Sequence, residues 1–114
     1  MSAPPSGREL ARVAEVPDAG ALVVDIEHEG GRISLILTRR GESVQCFVNR
    51  CTHADYPLQR ADGRVLVQEE RYLVCGAHGA SYRLDDGACA GGPCNGKGLT
   101  RVAIRVRDGA VLTA

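Results

Sequence analysis

Between Leu10 and Leu112 the apolar side chains fall in short runs broken by turn-formers, and no window of about 12 residues carries them at a helical period. Leu10, Val13 and Val16 run into Pro17-Asp18-Ala19-Gly20, and Leu22, Val23, Val24 and Ile26 run into Glu29-Gly30-Gly31. Ile33, Leu35 and Leu37 alternate with Ser34, Ile36 and Thr38 before Arg39-Arg40-Gly41-Glu42. Val44, Cys46 and Val48 then alternate with Ser43, Gln45 and Phe47. Further apolar runs lie at 65–67, 72–74, 82–84, 99–106 and 111–112. Strands recurring every ~8–12 residues with glycine-bearing turns predict an all-β fold, an antiparallel sandwich or barrel. A chain of 114 residues suits one domain, here 8–114, behind a Pro/Ser/Gly-rich lead at 1–7 expected to be disordered.

Charge narrows the function. Fourteen basic side chains, all arginine except Lys97, balance 14 acidic ones, so neither a nucleic-acid footprint nor a polybasic membrane patch is expected. Aromatics are limited to Phe47, Tyr56, Tyr72 and Tyr82, and 14 glycines accompany them. Such a chain has a thin core and calls for a staple. Its five cysteines are an odd number, which a complete disulfide framework cannot use up. No apolar run has secretory length and none reaches the ~18 residues of a membrane helix, so the expected compartment is the cytoplasm. Thiols stay reduced there, and cysteines more often ligate metals, catalyse or pack.

Spacing sorts them. Cys51-Thr52-His53 follows the 44–48 run, and Cys75-Gly76-Ala77-His78 follows the 72–74 run, with 21 residues between His53 and Cys75. One or two intervening residues let a cysteine and a histidine converge on one metal from a tight turn. The longer gap allows a hairpin to bring the second loop opposite the first. Two thiolates and two imidazoles fit a tetrahedral zinc or a two-iron cluster. Zinc fingers usually group like ligands, whereas each loop here supplies one of each kind, which suits two bridged irons.

With His78 followed by Gly79, and with Tyr82 and the Gly92-Pro93 step beyond, the chain resembles the Rieske-type iron–sulfur proteins, most strongly from Asn49 to Pro93. The resemblance implies an antiparallel β sandwich whose two ligand loops form a small cluster-binding subdomain. It implies one 2Fe–2S cluster, with Cys51 and Cys75 on one iron and His53 and His78 on the other. It places Gly79, Tyr82 and Pro93 around the ligands, Pro93 in a third loop covering the cluster.

Two ferric ions, two sulfides and two thiolates sum to zero charge. An electron enters a neutral site more easily than one with four thiolates, so the expected range is ~−150 to +300 mV against ~−400 mV for plant-type ferredoxins. The imidazoles should make reduction proton-linked at alkaline pH. High-potential relatives carry an additional cysteine in each ligand loop and bridge them; Tyr56 and Ala77 stand there in this chain. Those relatives also place a serine where Ala80 stands, whereas Tyr82 matches the tyrosine that bonds a cysteine sulfur, that of Cys51. One donor is lost and one kept, which points to a low-potential, ferredoxin-like protein.

The remaining residues read more plainly. Cys46 alternates into a strand and is expected in the core. Cys89 and Cys94 flank Ala90-Gly91-Gly92-Pro93 and either close a short disulfide or remain a strand residue and a small shielding side chain. His28 and Glu69-Glu70-Arg71 read as solvated turns, and Asp55 and Tyr56 as docking or packing residues. The expected function is electron transfer: a monomeric carrier, not itself an enzyme, passing one electron from a reductase to a redox partner enzyme. The alternative is a small Rieske subunit of a multi-subunit oxidoreductase, such as a nitrite reductase or a ring-hydroxylating dioxygenase. A zinc or sensory protein without electron transfer is a third reading.

Overall fold

The computed structural model describes residues 7–52, 56–76 and 79–114, and in these it is almost entirely antiparallel β. The strands are β1 (Glu9–Arg12), β2 (Gly20–His28), β3 (Gly31–Arg40), β4 (Ser43–Val48), β5 (Leu66–Gln68), β6 (Tyr72–Val74), β7 (Ser81–Arg83), β8 (Cys89–Gly91), β9 (Ile104–Arg107) and β10 (Ala110–Thr113). They form three sheets, ordered β1-β10-β9, β2-β3-β4 and β5-β6-β7-β8. A single 3-10 turn, Val13–Glu15, follows β1, and the Glu15 carboxylate accepts the Arg12 N–H at 2.8 Å. Gly7 donates to the Thr113 carbonyl at 2.7 Å, and the rest of the expected disordered lead lies outside the described residues.

The middle sheet organises the molecule. β2 and β3 form a hairpin from Gly20 opposite Arg39 to His28 opposite Gly31, closed by Glu29-Gly30 with both residues at positive φ, as the twist of a tight hairpin requires. His28 ends a strand and is half-buried with Glu29 3.8 Å away, where a solvated turn was expected. β3 departs from the expected alternation, because Leu35, Ile36, Leu37 and Thr38 are all buried. A sheet packed on both faces leaves no solvent side to mark with polar residues. Leu35 and Leu37 join Leu10, Val16, Ile26 and Val111 on one face, while Ile36 joins Phe47, Leu73 and Tyr82 on the other. Thr38 occupies its buried position by donating to the Leu84 carbonyl at 2.8 Å.

The expected 99–106 strand is divided. Only Ile104–Arg107 pairs in a sheet, with β10, while 100–102 lie along β4 through Val48 N–H to Thr100 O at 2.8 Å and Val102 N–H to Cys46 O at 2.9 Å. Residues 99–107 thus serve two sheets, which a single apolar run does not reveal. Cys46 is in the core as expected, fully buried, and burial pushes its thiol up to about 12.

Candidate metal centre

Asn49, immediately after β4, sets the loop that carries Cys51. Its side-chain oxygen accepts the Leu58 N–H at 2.8 Å, and its amide donates to Gln59 Oε1 at 2.6 Å and Ser34 Oγ at 3.0 Å. A buried amide with its polar atoms engaged is a rigid pin. It ties the start of the loop to its end, and within them Cys51 N–H donates to the Tyr56 carbonyl at 2.8 Å. The second loop leaves β6 at Val74 and closes just as tightly. Cys75 N–H donates to Ala80 O at 2.8 Å, and Gly79 N–H donates to Cys75 O at 2.9 Å.

The loops also bind each other. Gly76 N–H donates to Leu58 O at 3.0 Å, and a Cβ on Gly76 would sit 2.7 Å from the Arg60 side chain and 3.3 Å from its Cα. Glycine is what lets the two backbones approach this closely. Cys51 and Cys75 are therefore both buried in one core with Leu58, Tyr82 and Leu84. Their histidine companions, His53 and His78, lie outside the described residues, as does Asp55. Among the described residues no group of three or more metal-ligating side chains assembles.

Tyr82, on β7 and fully buried, brings its hydroxyl to 3.5 Å from Cys51 Sγ. Burial pushes that phenol up, opposed by its contacts with Thr52. Thr52 was not singled out from sequence, yet its N–H and its hydroxyl both reach the Tyr82 oxygen, at 3.0 and 2.9 Å. Ala80 is buried and offers no hydroxyl at all. The third loop packs on the second: a Cβ on Gly92 would meet Gly79 O at 2.8 Å and Ala80 Cα at 3.0 Å. Pro93 follows, half-buried, and a disulfide joins Cys89 to Cys94 across the loop, its Cα atoms 6.0 Å apart. Of the two alternatives left open for those cysteines, the structure has the bonded one.

Buried sulfurs on two mutually bonded loops, one of them facing a phenol, suit a cluster that takes thiolates from two turns. The family model of the Rieske [2Fe-2S] domain matches residues 8–107. The chain belongs to this family. The fold agrees with solved structures of it. The ferredoxin of carbazole 1,9a-dioxygenase from Nocardioides aromaticivorans IC177 superposes with a TM-score of 0.71 at 19% identity, over 96% of this chain and 98% of that one. A ferredoxin from Sphingomonas yanoikuyae B1 does so at 0.70 and 27% identity, over 94% and 96%. The terminal oxygenase of carbazole 1,9a-dioxygenase from Novosphingobium sp. KA1 matches at 0.71 and 23% identity, over 95% of this chain but 30% of its own. A search of the curated proteins finds no match. The expected antiparallel Rieske fold is thus the one observed, and the family is one defined by an iron–sulfur cluster.

Proposed function

We propose that residues 8–114 act as a single Rieske-type ferredoxin unit, a one-electron carrier between a reductase and a redox partner enzyme. The observation that carries this is the burial of Cys51 and Cys75 in one core by two ligand loops bonded to each other. Cys51, His53, Cys75 and His78 are the proposed ligands of one 2Fe–2S cluster, which when bound supplies a one-electron couple. The chain's own residues do the rest. Cys51 and Cys75 keep their sulfurs out of water, Asn49 fixes the loop that carries Cys51, and Tyr82 sets its hydroxyl beside the Cys51 sulfur. Gly92 lets the third loop, with Pro93, lie against the second, where Gly79 takes the positive φ of the turn. Tyr56, on the first ligand loop and 56% exposed, is placed to meet a partner.

The match with a ferredoxin along nearly its whole length supports the carrier reading, and a solved complex of an oxygenase with a ferredoxin in carbazole 1,9a-dioxygenase supports a protein partner. No helix of the described residues is long and apolar enough to cross a membrane. The proposed compartment is the cytoplasm and the proposed isolated state a monomer. The likeness to 30% of the length of a terminal oxygenase supports a second reading, a Rieske subunit of a larger oxidoreductase; co-purification with catalytic subunits distinguishes it. An EPR-monitored redox titration of the purified protein tests the first. A reversible one-electron step with a rhombic Rieske signal, below the potential of quinol-oxidising relatives, is expected. A colourless protein with bound zinc ends this reading.

A further inference from the structure

We propose that the hydroxyl of Thr52 tunes the reduction potential of this protein by competing with the Cys51 sulfur for the proton of Tyr82. The inference rests on Cys51 being a cluster ligand, as proposed above. Four atoms stand in a row: the Lys97 carbonyl oxygen, Thr52 Oγ1, the Tyr82 oxygen and Cys51 Sγ. The gaps between them are 3.1, 2.9 and 3.5 Å. A carbonyl can only accept, and so can a thiolate that ligates metal. Two hydroxyl protons must therefore serve three gaps.

Counting the protons leaves two good arrangements. In one, Thr52 donates to Lys97 O and Tyr82 donates to Thr52, leaving the sulfur without the phenol proton. In the other, Thr52 donates to Tyr82 and Tyr82 donates to the sulfur, leaving Lys97 O without the threonine. Of the other two combinations, one sets two oxygen lone pairs against each other at 2.9 Å and the other crowds both protons into that same gap. The Thr52 N–H, 3.0 Å from the Tyr82 oxygen, donates to it in every arrangement and so does not discriminate. Lys97 O is itself held in place, since Lys97 N–H donates to Cys94 O at 2.9 Å and Cys94 is bonded to Cys89.

With the cluster bound, one electron from the reductase would reduce a ferric iron to ferrous, and the more negative site would make the Cys51 sulfur a stronger acceptor. Two O–H bonds then rotate, the threonine proton from Lys97 to Tyr82 and the phenol proton from Thr52 to sulfur. No covalent bond forms or breaks and no proton leaves the row. The first arrangement belongs to the oxidised protein and stabilises it, so Thr52 holds the potential down.

The test is an EPR-monitored redox titration of the holoprotein and five variants: Thr52→Val, Thr52→Ala, Thr52→Ser, Tyr82→Phe and Thr52→Val with Tyr82→Phe. Thr52→Val removes the competing acceptor and should raise the potential, by about tenfold in the reduced-to-oxidised ratio at a fixed poise, the size of one charge-assisted hydrogen bond. Thr52→Ala should do the same, covering a failure of valine to pack, and Thr52→Ser should keep the parent value. Tyr82→Phe should lower the potential, and lower it further when Thr52 is already valine. A Thr52→Val or Thr52→Ala potential at or below the parent, or equal Tyr82→Phe shifts in both backgrounds, overturns the inference. A parent without the rhombic signal overturns the cluster reading instead.

Discussion

The two faces of the middle sheet are built on different principles. Toward β1 and β10 the core is aliphatic, with Leu10, Val16, Ile26, Leu35, Leu37 and Val111, and it is framed by the long β2–β3 hairpin. Toward the ligand loops the strands β5 to β8 are three residues each, and the core mixes two proposed ligand cysteines, Ala80, Tyr82 and half of a disulfide with its hydrocarbon. Strands this short bury little on their own. The site face is therefore held by specific bonds: Asn49 to Leu58, Gly76 to Leu58, and Cys89 to Cys94. One face is a scaffold that packs; the other is a set of loops that must be pinned, and the proposed cluster is the largest pin.

Removing that pin should break the comparison most sharply. Cys51→Ser or Cys75→Ser should abolish the Rieske EPR signal, and NMR should show loss of dispersed resonances from 49–97 with β2, β3 and β10 still ordered. Next in size is a cavity on the scaffold face. Leu37→Ala should cost ~2–5 kcal/mol in denaturant unfolding and leave the EPR line shape unchanged. If instead the line shape changes as much as the stability, the faces are not separable.

Cys46 offers a pH handle on the scaffold face alone. Its thiol stays protonated in the fold up to about 12 but ionises in the unfolded chain from its ordinary 9.0. The unfolded chain therefore binds fewer protons between those values, and stability falls as pH rises through that window, by at most about 1.4 kcal/mol per pH unit. Cys46→Ala should flatten the alkaline side of a melting-temperature profile. On the site face, opening the disulfide by Cys89→Ser with Cys94→Ser should cost about 2 kcal/mol, as expected for so short a loop. Smallest is Arg40, whose guanidinium reaches Asp85 at 3.1 Å and the Glu70 carbonyl at 2.7 Å on an exposed surface. Asp85→Asn should change the unfolding free energy by less than ~1 kcal/mol, and less still in high salt.

The two faces also differed in how far they could be read in advance. Turn residues and short apolar runs fix strands such as 72–74 and the β2–β3 hairpin, because those signals are local. Alternation failed at Ile36 and Thr38, since a strand buried on both sides carries no polar phase. Cys51 and Cys75 stood out through their histidine partners. Asn49, Thr52 and the Lys97 carbonyl did not, because their places beside these loops arise from contacts 9 to 45 positions away along the chain. Asn49 leaves a faint trace as an amide between an apolar strand and a cysteine loop. A backbone carbonyl leaves none. Cys89 and Cys94 were visible as a pair, but their bonding depended on the loop's shape.

β3 also governs how the molecule opens. The strand lends Leu35 and Leu37 to one core and Ile36 to the other, so its amides are covered from both sides. Neither core can admit solvent to this strand while the other stays closed over it. The amides of Leu35, Ile36 and Leu37 should accordingly be the last to exchange with deuterium, at a rate set by global unfolding. Those of β5 to β8 should exchange sooner in the apo-protein and slow markedly once the cluster is bound.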